Sequence, residues 1–418
     1  MTALGKDDGQ SMLLFVMLLP ILLGTAGLGV SLGMVYFQQG RLQNAVDAAA
    51  LAGAKAASQG QSPNSQSSII LLDAPSAINP TVNLDPTHPL NVVAQAHQQV
   101  SGGFAALFGF QHITIYARAV ARYGPGEQFN YAVFQGSKNR TNPMVFNGSD
   151  DIHGSQPGVV ASVHSNGDIL INGSVRITGV ASADGNVQTN GNNQIGEIQD
   201  NQPFISTPDW PIPSLPSTSG WQVVQSLPQN TTLTGNYLVQ QDTLSVQNDT
   251  IYGSIMAING ASIQLNGTST MYGNLYTVGG GNISLNGSNT VNGNILATQN
   301  GTGTPSQITL NGGSTISGFI VSQGGSIFLN GNDSSGSGSG LTVGAFAENG
   351  VGGNITVNGG VSLTGVLYAP DGNLIFNGND TVTGAAVAHQ VTLNGSIDVA
   401  YNPSVVQAVP FQSIALIQ

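Results

Sequence analysis

The distal half of this chain repeats one short phrase, an apolar–polar–apolar triplet closed by Asn-Gly. It recurs at Ile263–Gly267, Ile283–Gly287, Ile308–Gly312, Ile327–Gly331, Ile355–Gly359, Leu374–Gly378 and Val391–Gly395. The phrase asparagines (Asn266, Asn286, Asn311, Asn330, Asn358, Asn377 and Asn394) are 20, 25, 19, 28, 19 and 17 residues apart. A fixed phrase at such a loose period is the pattern of stacked coils, in which each repeat buries its apolar side only against its neighbours. Alternate apolar residues point inward from a short strand. Asn-Gly then turns the chain, since both residues tolerate positive φ. Asn-Gly also suits two-residue hairpins, but hairpins need matched strands in pairs. Here every phrase has the same polarity and the same place in its period. The pattern predicts a single-stranded parallel β-helix, right-handed, whose seven asparagines stack as an internal structural ladder of amide hydrogen bonds.

Charge and composition narrow the function. The 418 residues include no cysteine, which excludes disulfides and thiolate metal sites. Charged residues are 7% of the chain and the formal net charge is -12. All eight Lys and Arg lie at or before Arg176, while eleven Asp and Glu follow it. A surface without cations cannot neutralise phosphates, so nucleic acid is excluded as a partner.

The amino-terminal part reads differently. No charge falls between Asp8 and Arg41, and Ser11–Phe37 is long and apolar enough to cross a bilayer as a helix. Gly29 and Gly33 form a G-x-x-x-G pair suited to close helix packing. Tyr36 and Phe37 stand where an interfacial anchor belongs. The stretch is too long for a signal-peptide core and its basic flank is weak, with Lys6 offset by Asp7 and Asp8, so an uncleaved anchor is expected. Helical spacing continues through Leu42, Val46, Ala49, Ala50 and Gly53, which extends one helix from the membrane into a following domain.

The stretch from Leu19 to Ala54 resembles the amino-terminal segment of TadG-like proteins of the tight-adherence (Flp-type) pilus system. The match rests on the family-motif helix Arg41, Leu42, Gln43, Ala45, Asp47 and Ala48–Leu51. The acidic residue usual in the family's membrane part is replaced by Ser31. Phe104–Tyr123 resembles a second family stretch, so the resemblance covers about the first 125 residues. Pilins of that system are cut after Gly with Glu five residues on; counting from Gly9, that position is Leu14, so no such cleavage is expected. The resemblance implies a short cytoplasmic tail, with everything beyond the helix outside the inner membrane and pilus-assembly proteins as partners.

The expected organisation is a cytoplasmic tail (1–10), a transmembrane helix (11–37) and a small pilin-like α+β module (38–125). Within that module, 58–90 reads as surface loops around the apolar run Ile69–Leu72. The alternation of Ile113, Ile115, Ala117, Ala119 and Ala121 reads as a half-buried strand. The β-helix starts over 126–200, breaks for a proline-rich loop excursion (201–236), resumes over 237–400 and ends in a tail (401–418).

Chemistry is sparse. Parallel β-helices often host polysaccharide lyases, but lyases need basic residues, and none follows Arg176. Asp371 and Asp380 are the nearest candidates for a hydrolase pair, yet both sit in turn phrases where Asp is ordinary. The six histidines are dispersed; only His153, beside Asp150 and Asp151, suggests a surface cation site. Asp333 and Asp380 lack the calcium-roll pattern. No enzyme, cofactor or metal is expected. The function read from the chain is a membrane-anchored, extracytoplasmic structural protein of pilus assembly and surface attachment. The alternative is a surface β-helix that binds or degrades polysaccharide, with a surface glycan as partner. Exposure and alignment of three or more of Tyr252, Tyr272, Tyr276, Phe319, Phe346 and Tyr368 would favour sugar binding, whereas burial would leave them as core.

Overall fold

The computed structural model describes residues 8–417 except 59–60, 89, 125, 208–211, 300–303, 336–340, 349 and 409–412. Most of the expected cytoplasmic tail therefore lies outside the described residues. The chain forms two compact units, residues 1–124 with 412–418, and residues 125–411.

The first unit is built on one long helix, α1 (Asp8–Ser58). Its carboxy-terminal half buries Leu42, Ala45, Val46, Ala49, Ala50 and Ala54 completely. These residues recur at the three- and four-residue spacing of a helix face. The alanines bring the helix close to an antiparallel sheet of β1 (Ala77–Leu84), β2 (Asn91–Ser101) and β3 (His112–Gly124). Small residues answer from the sheet, where Ala94, Ala96, Ala117, Ala119 and Ala121 face α1 with Val92 and Ile115. Gly53 is the tightest point: a Cβ there would meet Val82 at 2.5 Å and Val92 at 3.0 Å. Residues 58–90 are more ordered than their polar composition implies. They hold the short helix α2 (Ser67–Asp73), pinned by the fully buried Ile70, and all of β1.

The terminal residues 401–418 are not a free tail. Pro403–Gln407 is helical, with Asn402 capping the N–H groups of Ser404 and Val405, and Ser413–Ile417 adds a fourth strand beside residues 120–124 of β3.

The second unit is a parallel β-helix of three walls. Each turn supplies a strand ending in Asn-Gly, a short strand after that turn, and a third strand that returns the chain to the next Asn-Gly strand. Register is kept from rung to rung: Asn266 pairs with Asn286, Asn286 with Asn311, and Asn311 with Asn330. Ile, Leu and Val fill the interior, as with Ile263, Leu265, Ile283, Leu285, Ile308 and Leu310. The glycine of the phrase is required twice over. Gly331 has φ +104, and a Cβ there would lie 2.5 Å from the carbonyl oxygen of Gly312 on the neighbouring rung.

Stacking order departs from chain order. Residues 126–200 are first in sequence, yet they do not precede the rung at 237. They stack beyond the last one: Val133–Gln135 pairs with Ala386–Ala388, Val145–Gly148 with Thr392–Gly395, and Asp151–Gly154 with Asp398–Tyr401. One rung is therefore composite, with Asp398–Tyr401 from one end of the unit and Val133–Gln135 from the other. Tyr401 closes that junction by donating its hydroxyl to the Phe129 carbonyl at 2.8 Å. The coil then continues through Val163–Gly173 and Arg176–Gly191 to Gln194–Gln199.

This order explains the prolines. After Gln199 the chain must return to Gln222–Val223, which pairs with the rung at Tyr237 at the opposite end. About twelve steps of 4.8 Å separate the two ends, roughly 58 Å. Twenty extended residues at about 3.1 Å each reach roughly 60 Å, and proline makes that conformation inexpensive. The stretch at 201–236 is thus largely a lengthwise return, not a local excursion. Ile205 is held on the way by Asn166, which accepts its N–H at 2.9 Å and donates to its carbonyl at 2.7 Å.

Candidate functional site

The family-motif residues of α1 have distinct places. Leu42 is core. Arg41 donates to the Asp73 carbonyl at 2.7 Å, satisfying the end of α2. Gln43 donates to Asp47 Oδ1 at 2.8 Å and to the Arg118 carbonyl on β3 at 3.1 Å. Gln43 and Asp47 line a half-open cavity of about 610 Å³ with Asp85, His88, Asn91, Arg118 and Leu416. Asp85 accepts the hydroxyl and N–H of Thr87, which hold its carboxyl below the usual range; His88 Nδ1 lies 3.5 Å from its other oxygen. The cleft presents carboxylates, side-chain amides and the Arg118 carbonyl together. Such a set suits a polar chain segment, with no nucleophile and base paired for catalysis among the described residues.

The cleft opens where Ser413–Ile417 stops pairing with β3. Residues 112–119 of β3 have no strand on their outer side among the described residues. The opposite edge is guarded. β1 carries Pro80, Asn79 at φ +50 and a register shift between Ile78 and Thr81, devices that block strand addition. Sequence reasoning identified the motif helix but missed Asp85, His88 and Arg118, which only the sheet brings to it.

Gly29 and Gly33 face open space, with nothing within 4 Å of a Cβ at either. Within the chain the close-packed helix glycines are instead Gly27, where a Cβ would meet the Phe104 ring at 2.5 Å, and Gly53.

In the coil, Asn286, Asn311, Asn330, Asn358, Asn377 and Asn394 each donate Nδ2 to the Oδ1 of the previous rung's asparagine at 2.7–3.1 Å. The row continues across the composite rung through Asn147, Asn172 and Asn190, and at its other end Asn266 donates to Ser245. These side chains are half-buried or exposed, not internal. The residue preceding each of them in the strand fills the core, so the alternating strand turns the asparagine outward at the corner.

A second, buried row lies three residues beyond each phrase asparagine. Asp150, Asp333 and Asp380 accept the N–H of Ile397, Ser314 and Val361 with one oxygen. Their second oxygens are buried without a partner among the described residues. Burial pushes each carboxyl from 3.8 up to about 6, against the lowering effect of its backbone hydrogen bonds. At the equivalent position Asn289 satisfies both ends, accepting from Ser269 and donating to the Asn286 carbonyl at 3.1 Å.

The other candidates separate. Asp380 is in this buried row, whereas Asp371 lines an open groove with His389, Phe346 and Ile212. Asp150 is turned inward, Asp151 pairs with Arg176 at 2.8 Å, and His153 pairs with Asp398 at 3.0 Å. Among the described residues no group of three His, Asp or Glu is placed to hold a metal ion. Tyr252 and Tyr272 are exposed and stack at 4.8 Å with a 5° tilt, but Tyr276, Phe346 and Tyr368 are buried and Phe319 is half-buried. Two of the six rings are thus exposed and aligned, fewer than the three that would favour sugar binding.

Residues 9–57 match the Tad family, described as TadE/G-like Flp pilus assembly. Residues 342–407 match a domain of unknown function (DUF7305). No curated protein and no solved structure matches the chain. The amino-terminal segment is thus TadE/G-like, on a helix long and apolar enough to cross a membrane. The second match covers the last coil rungs, their composite closure and the helix that follows.

Proposed function

We propose that the chain is a membrane-anchored, extracytoplasmic structural protein of a tight-adherence pilus system, in which the first unit engages assembly partners and the β-helix is carried outward to contribute to surface attachment. The observation that carries this reading is the TadE/G-like match over a helix whose apolar residues, from Phe15 to Leu23 and at Val30, Leu32 and Met34, are exposed. The Gln43–Asp47 cleft and the adjoining unpaired edge of β3 are the surface assigned to the partner, by strand addition beside Ser413–Ile417. Gly29 and Gly33 are assigned to packing against another membrane helix. The reading gives the chain no catalytic step.

The test is removal of the chain from its native cell, with restoration by the intact form or by Gln43→Ala/Asp47→Ala. Surface pili and attachment are scored, and protease is applied to intact spheroplasts. Loss of pili or attachment, rescue by the intact chain alone, and digestion of the coil from outside are expected. Unchanged pili and attachment after removal would defeat the proposal.

A further inference from the structure

The turn joining β2 to β3 is unusually apolar for an exposed loop. Gly103–Phe108 forms a short 3-10 helix, and Phe104, Leu107, Phe108 and Phe110 around it are 50%, 79%, 61% and 62% exposed. No Asp, Glu, Lys or Arg occurs from residue 86 to 117. A patch of this kind marks a surface that something covers.

Its attachment point identifies the cover. The Phe104 N–H donates to Ser31 Oγ at 2.9 Å, and that hydroxyl in turn donates to the Gly27 carbonyl at 3.0 Å. The Phe104 ring lies over Gly27, which has no side chain to obstruct it. Gly27 and Ser31 are inside the apolar stretch, not beyond it. That stretch, 11–37, is about 40 Å long as a helix at 1.5 Å per residue, some 10 Å more than a bilayer's hydrocarbon core. Ser31 lies about 9 Å before its end at Phe37. A core spanning roughly twenty residues from Met12 therefore reaches the level of Gly27–Ser31, where the turn is fastened. The exposed apolar surface of α1 at Val30 and Met34 is at the same height.

We propose that the Gly103–Phe110 turn is a second membrane-contacting element, with Phe104, Leu107, Phe108 and Phe110 inserted among the acyl chains of the leaflet that α1 leaves. This rests on the reading of α1 as a membrane helix. The Ser31 hydroxyl is the pin. It satisfies a turn N–H that would otherwise lack a partner in hydrocarbon. The insertion fixes the height of the first unit at the bilayer and limits its tilt, which a lone helix does not.

The chain has no cysteine, so single-cysteine variants of the full chain label cleanly. Nitroxide is attached at Leu107→Cys, Phe108→Cys, Phe15→Cys and Tyr272→Cys, and each is reconstituted in phosphatidylcholine–phosphatidylglycerol vesicles. Collision with oxygen and with a water-soluble nickel chelate is measured. The expected result is oxygen-dominated collision at 107 and 108, like 15 and unlike 272. Nickel-dominated collision at 107 and 108 with oxygen-dominated collision at 15 overturns the insertion and leaves the anchor standing. Nickel-dominated collision at 15 overturns the anchor reading and the insertion with it. Exclusion of both reagents at 107, with spin–spin broadening that disappears on dilution by unlabelled chain, assigns the patch to a second copy and also overturns the proposal.

Discussion

Replacing Asp333 by Asn is expected to stabilise the β-helix at neutral pH and to do almost nothing in acid. In the folded coil the Asp333 carboxyl is pushed up to about 6 from 3.8, chiefly by burial. A carboxyl with a raised folded pKa binds its proton more tightly in the folded chain. That stability is fully present below about 3.8 and is lost as pH rises through about 6. The difference of roughly two pH units corresponds to about 3 kcal/mol at pH 7.5, at about 1.4 kcal/mol per unit. Asparagine is never charged, and Asn289 shows that the position accommodates an amide: its Nδ2 reaches the Asn286 carbonyl, as the new amide would reach that of Asn330. Asp333→Asn should therefore gain about 2–3 kcal/mol at pH 7.5 and only about 0.6 kcal/mol at pH 4. Urea unfolding of the detergent-solubilised chain, followed by far-ultraviolet circular dichroism at both pH values, measures this difference. A variant that is destabilised at pH 7.5, or whose gain is the same at both pH values, would show that Asp333 is neither desolvated nor charged as argued. Asp380→Asn and Asp150→Asn should behave alike, and the unmodified coil should gain stability as pH falls from 7 to 4.

Other perturbations probe different links. Asn358→Ala removes both side-chain bonds of a ladder position, to Asn330 and from Asn377; a loss of about 1–2 kcal/mol in the same urea assay is expected, limited by its partial exposure. Gly53→Leu should destabilise the first unit by about 1–3 kcal/mol or more through overpacking against Val82 and Val92, read by hydrogen exchange in β1 and β2. A Cβ at Gly29 or Gly33 has no neighbour within 4 Å, so Gly29→Leu and Gly33→Leu should leave that exchange unchanged while weakening crosslinking between membrane helices. Gly331→Ala combines φ +104 with a clash on the Gly312 carbonyl; proteolysis between the two rungs should increase at least several-fold.

Much of the β-helix was legible because its information is local. Ile283-Ser-Leu-Asn-Gly states which side chains face in, where the chain turns and which residue must be glycine. The amide row was legible for the same reason, since identical residues at identical positions must stack. What the phrase does not encode is which rung is adjacent to which. Val145–Gly148 could stack on any Asn-Gly strand, and its place on Thr392–Gly395 follows from long-range closure through Tyr401 and Phe129. The buried aspartates were equally hidden: Asp380 reads as an ordinary turn residue until the neighbouring rung covers it. In the first unit the helix motif was plain, but the cleft needs Arg118 and Asp85 from elements far apart in sequence. Phe104 stood in the sequence only as the start of a family-like stretch, and its bond to Ser31 is made by the fold.

The composite rung changes what a partial chain would be. In an ordinary linear repeat protein, losing the last repeat leaves a shorter rod with one new end. Here the last strand of the coil to be synthesised, Asp398–Tyr401, is the floor on which Asp151–Gly154 rests. A chain stopped before it would keep two walls in register, through Val133–Gln135 on Ala386–Ala388 and Val145–Gly148 on Thr392–Gly395, and would lack a strand of the third wall in its interior. The strands of 133–154 must wait, one edge open, for the coil residues 386–401. Completion of the coil thus depends on Asp398–Tyr401 being in place, although the strand that rests on it was made 247 residues earlier.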